Sequence, residues 1–557
     1  LKRDIKLAFV FVFLCCTHCF TASAQNPNQL QYKAKVFEGL KEGGISYKKL
    51  VGDVVFTQEK TIIYCDSAVL FDETNSMEAF GNVLIEDLED SVTITSDRLK
   101  YQGDGRIAEL RGDVQYIDDS IRLYTDNLDY DMVNKSAIYF GGGKIEDGTS
   151  TMVSKNGNYD TEGKMMIFTD SVELITPDYT LLSDDLFYNI VTKKARTSSE
   201  TKIVTKNGRV LKSEESSEFD TRAGTYAFMK GEIDTEEYLI RGNELFYNDA
   251  SGSYSAKGQV YLLSKEDDIV ITGDEADFWE DRNMARVYGD PLLKKMMNND
   301  TLFLRADTLI SIDDSLETNK RLLAFHHVNI YKSDLQGRAD SLAYFLSDSS
   351  IIFYQDPILW NEGSQITADT IQILVREGTI DRLNAKVNSF IIAEDSTGNY
   401  NQIKGRMMTA FFKGRNINKV DVTGNGETIY FVADEENSTK LVGMNKIVCS
   451  NMKIFFLENE VNDISFYTAP DGQFIPPHEL NDADRKLEGF AWKMDERPTR
   501  KDIMIGRLEA ERIRLEKEQV FREESLPADV LNTEKKNVEG KTGQEDFKSE
   551  ENPVPGQ

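Results

Sequence analysis

The reactive groups that recur in this chain are carboxylates. Asp66, Asp97, Asp126, Asp184, Asp274, Asp307, Asp340 and Asp369 each stand two residues ahead of an apolar side chain, as in Asp97-x-Leu99 and Asp340-x-Leu342. Converging carboxylates bind calcium, and a facing pair can cleave a glycosidic bond. Neither chemistry suits this spacing. One acid per roughly thirty residues, without the glycine-rich nonapeptide of calcium-binding repeats, is the pattern of a side chain that bonds backbone donors where a strand begins. Beyond residue 24 the histidines are His326, His327 and His478. Neighbours on a strand face opposite ways, so His326 and His327 are poorly placed to share a metal, and His478 follows Pro476 and Pro477. No Gly-x-Ser-x-Gly, phosphate loop, HExxH or paired CxxC is present. The reading is a chain with no catalytic residue, no metal site and no cofactor. Cys65 and Cys449, each among apolar neighbours, read as two buried free thiols, with a disulfide between them as the alternative.

The elements that hold the aspartates are strands. Gly112-Asp113-Val114-x-Tyr116, a polar break at Asp118-Asp119, then Asp126-x-Leu128-x-Tyr130 gives apolar residues at alternate positions twice, with a turn between. The frame returns at Gly52-Asp53-Val54 with Asp66-x-Ala68-x-Leu70, and at Gly81-Asn82-Val83 with Asp97-x-Leu99-x-Tyr101. Degraded copies begin near Asp170, Glu200, Gly231, Gly258, Gly289, His327, Asp356, Lys386 and Gly424, so the period is about thirty residues and the chain is a repeat array. Turns are marked by Gly103-Asp104-Gly105, Asn156-Gly157 and Asn207-Gly208. The inward candidates are Val54, Phe56, Val83, Ile85, Leu99, Tyr101, Val114, Tyr116, Leu128 and Tyr130. Pattern alone leaves open whether they form a packed core or an apolar groove.

The organisation expected is a signal peptide at 1–24, repeats over 25–468 with a lobe boundary near 313–320, a proline-containing capping segment at 469–504, a charged helix at 505–524 and a disordered tail at 525–557. Lys2, Arg3 and Lys6 precede an apolar run over 7–20 and then Ala22-Ser23-Ala24, a signal-peptidase pattern that predicts export. A net charge of −30 repels phosphate backbones and excludes nucleic acid as a partner.

The pieces Gly81-Asn82-Val83-Leu84-Ile85 and Ile94-Thr95-Ser96-Asp97-Arg98-Leu99-Lys100-Tyr101 resemble the repeat of the OstA-like family, which comprises the periplasmic lipopolysaccharide-transport bridge protein LptA, the related LptC and the N-terminal domain of the translocon LptD. The resemblance spans roughly residues 28–468, strongest before Gly142, and this chain is longer than the single-domain bridges, like the extended OstA-like proteins of Bacteroidetes-type bacteria. It implies an all-β fold, a repetitive antiparallel β-jellyroll of two facing sheets open along one side, here followed by the short charged helix and the tail. It further implies a non-enzymatic periplasmic bridge whose groove, at the ten inward positions above, holds lipopolysaccharide acyl chains, with jellyroll domains of LptC-like and LptD-like proteins pairing at its edge strands. With sheet neighbours about 4.8 Å apart, a dozen such units would extend roughly 60 to 110 Å. Two other classes compete with this reading. One is a structural or adhesive β-solenoid of parallel strands with a packed core, and the other is a polysaccharide-processing enzyme on a β-helix using two acids.

Overall fold

The computed structural model describes residues 29–506, apart from positions 43, 298–299, 314–319, 378, 396–397, 415, 435–438 and 458–459, together with Arg512. The expected signal peptide at 1–24, most of the loop at 313–320, all but three positions of the charged helix at 505–524 and the tail at 525–557 lie outside the described residues. What is described is an all-β antiparallel jellyroll with little helix. Two compact units divide it. The first runs to Glu236 and takes in Asn243–Ala250, and the second comprises Glu237–Gly242 and the chain from Ser251 onward.

In the first unit, hairpins follow one another in order. Ile45–Gln58 pairs with Thr61–Phe71, then come Ser76–Asp87, Val92–Gln102, Ile107–Ile117 and Arg122–Asp131, each antiparallel to the last. Alternation puts Met77, Ala79, Val83 and Ile85 of one strand inside with Val92, Ile94, Leu99 and Tyr101 of the next. Every second strand is bent once, at the glycine-polar pair of the repeat. Gly81 and Asn82 both adopt left-handed backbone, φ 77° and 43°, and the register slips there by a residue, which is a bulge that turns the strand sharply. Gly52-Asp53, Gly112-Asp113 and Asp170-Ser171 repeat the pair of positive φ angles.

A side chain at Gly81 or Gly112 meets a second obstacle besides φ. A Cβ there would lie 2.6 Å from the carboxylate of Asp66 or Asp97, which leans on the glycine from the preceding hairpin.

The corners fold the ribbon into two facing layers, seen directly where a corner interrupts a strand. Arg122–Asp131 pairs with Ser136–Tyr139 along one half and with Gly143–Glu146 along the other, residues 140–142 carrying the bend. One layer ends in turns at 103–106, 132–135, 161–164 and 190–193. The other ends in turns at 59–60, 88–91, 118–121 and 147–150. The corners close one side of the sandwich covalently, and the two rows of turns form its other side.

The second unit repeats the scheme with corners at Gly258-Gln259, Gly289-Asp290, His326-His327, Gln355-Asp356, Val387-Asn388 and Gly424-Asn425, all at positive φ. After Asp471–Ile475 the proline-containing segment returns across the outside of this unit. Gln336, Trp360, Gln365, Ile392, Gln402 and Ile429 stand side by side across successive strands. Three glutamines of that row grip the returning chain. Gln402 donates to the Arg485 carbonyl (2.7 Å) and accepts from the Leu487 N–H (2.8 Å), Gln365 does the same with Ala491 and Lys493 (2.7 Å each), and Gln336 accepts from Arg497 Nε (2.6 Å). Leu487 is buried with Phe390, Ile392, Ile429 and Phe431, flanked by Phe490 and Trp492. The segment ends in a six-residue helix, Arg500–Ile505, with a Thr499–Asp502 capping box. Its Ile503 is buried against Phe303, and its carbonyl accepts from Arg305 Nε at 2.7 Å.

Candidate functional site

All ten inward positions named from the sequence line the interior of the first unit, each at most 2% exposed. They come from five of the six strands between Ile45 and Asp131, Thr61–Phe71 contributing none of the ten, and within each strand the pair shares one face. Tyr116 packs edge-on against Tyr130 (ring centroids 5.7 Å apart) and Tyr159 (6.2 Å). The Tyr101 hydroxyl donates to Gln58 Oε1 at 2.8 Å, and burial pushes it up to about 12. The hydroxyls of Tyr116 and Tyr130 are buried without a hydrogen-bond partner among the described residues, and burial raises both far above the ordinary tyrosine range.

The row of turns opposite the corners is bridged in this unit by charge. Arg106, Lys135, Lys164 and Lys193 fall at identical 29-residue steps, each at positive φ at the end of a turn of one layer. Each reaches an acid in a turn of the other layer. Arg106 meets Glu59 (3.1 Å) and the fully buried Asp87 (3.9 Å), Lys135 meets Asp90, Lys164 meets Asp118 (3.4 Å) and Lys193 meets Asp147 (3.3 Å). The carboxylates of Asp118 and Asp147 are 3% exposed. Burial raises the Asp147 carboxyl, but the Ser150 and Thr149 N–H groups and the Lys193 ammonium outweigh it and hold it below the usual carboxylate range. Four rungs of ion pairs therefore latch the two layers together along the side that the backbone leaves open.

At the corresponding place in the second unit lies an apolar cleft. Leu302, Ile330 and Leu335 face Tyr344, Ile351, Ile373, Val375, Ile380 and Phe412 across about 1010 Å³ of space, open water included. Lys295, Asp300, Lys332 and Asp334 stand on its rim. Lys332 is held by Asp334 (2.6 Å) and Asp300 (3.6 Å). The sequence reading did not single out this cleft. The turns beside it are closed at positive φ by Ser349 and Glu377, where Arg106, Lys135, Lys164 and Lys193 stand in the first unit.

The recurring aspartates sit at corners. Asp66 accepts from Asn82 Nδ2 (2.9 Å) and Asp369 from Asn388 Nδ2 (2.9 Å), each tying one hairpin to the next. In two frames the neighbouring residue makes the bond: Asn127, not Asp126, donates to the Phe140 carbonyl, and Asp185, not Asp184, accepts from the Ser198 N–H. His326 and His327 do not lie on regular strand as expected. Both have positive φ at a corner, where His326 pairs with Asp340 (3.1 Å) and His327 with Asp307 (2.8 Å). No cluster of three or more His, Cys, Asp or Glu side chains able to hold a metal occurs among the described residues. Cys65 and Cys449 are buried free thiols, and burial pushes Cys65 up to about 11. No helix among the described residues is long and apolar enough to cross a membrane.

Residues 33–184 match the family model described as OstA-like protein. Among solved structures, the chain is similar to LptH, the LptA-homologous periplasmic component of the lipopolysaccharide transport device of Pseudomonas aeruginosa. Identity is 14%, covering 19% of this chain and 82% of that one, with a TM-score of 0.18. No curated protein matches. The family match falls on the stretch where glycine-acid corners and apolar alternation are most regular.

Proposed function

We propose that this protein is a non-enzymatic periplasmic carrier that holds the acyl chains of lipopolysaccharide between its two layers and passes the lipid toward the outer-membrane translocon. The observation that carries this reading is the OstA-like match over 33–184 on an interior lined by the same apolar face of every strand. Each methylene withdrawn from water contributes about 0.8 kcal/mol, so an apolar trough holds an acyl chain firmly, while equivalent surfaces from one repeat to the next let it slide. The partners would be jellyroll domains of LptC-like and LptD-like proteins, joined by edge-strand pairing. The first unit offers such an edge at Val36–Glu42, where Val36, Phe37 and Leu40 are 50%, 57% and 41% exposed.

A packed structural array is the second reading, favoured by the tight burial of Tyr101, Tyr116 and Tyr130 and by the charged latch beside them. Its parallel-stranded solenoid form does not fit, because the strand pairings among the described residues are antiparallel. Photo-crosslinking residues at Ile85, Tyr101 or Tyr116 in living cells decide between the two. Attachment of lipopolysaccharide is expected. Its absence from all three positions in a folded, exported protein would leave the structural array as the function.

A further inference from the structure

The returning segment turns the burial of one layer of the second unit inside out. On the outer face of that layer, Phe390, Ile392, Ile429, Phe431, Met444 and Ile475 are at most 7% exposed beneath Leu487, with Leu480, Phe490 and Trp492 packed around them. On its inner face, Ser389, Gly405 and Gly426 stand nearest the corners, and Ile391, Ile403 and Tyr430 beyond them are only half-buried. The first unit has the opposite arrangement. Ile63, Ile85 and Ile94 fill its inside at no more than 1% exposure, while Tyr64, Leu84 and Thr95 on the outside are half-buried.

The difference is written at the residue that follows each corner pair. Val83 and Val114 follow Gly81-Asn82 and Gly112-Asp113, whereas Ser389 and Gly426 follow Val387-Asn388 and Gly424-Asn425. The bulk at this contact comes from the facing layer. A Cβ at Gly405 would lie 2.4 Å from Val422, and one at Gly426 would lie 2.8 Å from Met452, so both side chains rest on bare backbone. Apolar stabilisation follows the area withdrawn from water, and this layer therefore draws more of it from its outer face than from the layer opposite. A sandwich with one shared core loses both layers when they part, whereas a layer with a second core keeps its fold.

We propose that the segment 476–506 is a conformational device, a strap that gives this layer a core of its own and so lets the two layers of the second unit part about their corners while the strapped layer stays folded. The first unit, whose interior is its core, opens only by unfolding. The device is independent of what the protein carries, and its failure would leave the carrier reading standing.

The chain carries its own probes. Cys449 lies on the inner face opposite Gly426, and Cys65 lies on the inner face of the first unit opposite Val54. They are 5% and 6% exposed, so a difference in their labelling reports motion rather than resting accessibility. The full chain is treated with N-ethylmaleimide, each thiol is followed by mass spectrometry, and its rate is referred to its own rate in concentrated urea. Cys449 is expected to react at least about tenfold faster than Cys65, reporting an opening more frequent than the one seen by amide exchange over 389–394 and 427–432. Leu487→Asp, or the milder Trp492→Ala should the first not fold, removes part of the outer core. Exchange over those two stretches should then rise to match Cys449 labelling. Cys449 labelled no faster than Cys65, or no more often than those amides exchange in the parent, overturns the opening. Exchange that stays slower than Cys449 labelling in the folded variant overturns the part assigned to the strap.

Discussion

The strongest single test of the latch is Asp118. Its carboxylate is 3% exposed and works in two directions at once. Oδ1 accepts the N–H groups of Ser120 (2.7 Å) and Ile121 (2.8 Å) and so shapes its own turn, while Oδ2 accepts the Tyr159 hydroxyl (2.9 Å) and pairs with Lys164 (3.4 Å) from the other layer. Asp118→Ala removes the turn bonds and leaves Tyr159 and Lys164 facing a low-dielectric gap. Breaking a buried pair from one side costs about 3–5 kcal/mol, and the partial exposure of Lys164 places the loss near the lower end. Asp118→Asn keeps the acceptor for Ser120 and Ile121 and loses only the charge, about 1–2 kcal/mol. Lys164→Met leaves the carboxylate with three donors, for about 1 kcal/mol. The three variants should therefore rank Asp118→Ala, Asp118→Asn, Lys164→Met in decreasing damage. Urea denaturation gives the totals, and amide exchange across Ile107–Ile117 and Arg122–Asp131 shows whether the loss is local. A double-mutant cycle with Tyr159→Phe isolates the cross-layer share. An Asp118→Ala protein within about 0.5 kcal/mol of the parent, or no coupling to Tyr159, would refute the claim that these pairs hold the layers together.

Two further outcomes follow from the second unit. Val387 carries a branched side chain at φ 62° at a corner where other repeats place glycine, and it is 46% exposed. Left-handed backbone costs an L-residue about 1–2 kcal/mol, so Val387→Gly should raise stability by up to about 1 kcal/mol after the greater freedom of glycine in the unfolded chain is set against it. A lower thermal midpoint would contradict this. The double variant Gln365→Ala and Gln402→Ala should release the returning segment, speeding proteolytic cleavage within 476–506 at least tenfold while the strands stay protected. Unchanged cleavage would mean that the Leu487, Phe490 and Trp492 contacts suffice alone.

The periodic part of this architecture was legible because it is written in adjacent residues. Alternation marks the inward face of a strand, and Gly81-Asn82 or Gly112-Asp113 marks a bend, since few other residues accept consecutive positive φ angles. Both signals survive within a window of ten residues, and all ten inward positions taken from them are buried. The frame slipped where the corner was built differently: at Asn127 and Asp185 the bonding side chain sits one place later, because the partner corner is a pair of glycines in one case and Ser198-Ser199 in the other. At His326-His327 the alternation rule failed for the same reason, a bulge where a strand was assumed.

The latch was hidden by a different kind of distance. Lys164 and Asp118 are 46 residues apart, one and a half repeats, so their partners never share a repeat frame and each looks like an ordinary turn residue on an acidic chain. Only the two-layer fold brings the end of one turn over the start of another. Once that geometry is known, the 29-residue series Arg106, Lys135, Lys164, Lys193 becomes readable as a seam, and Gly224, Gly252 and Asn283 become readable as matching positions without a cation. The same backbone scheme thus carries a cross-layer ion pair at some repeats and none at others, with the choice made by one residue per repeat.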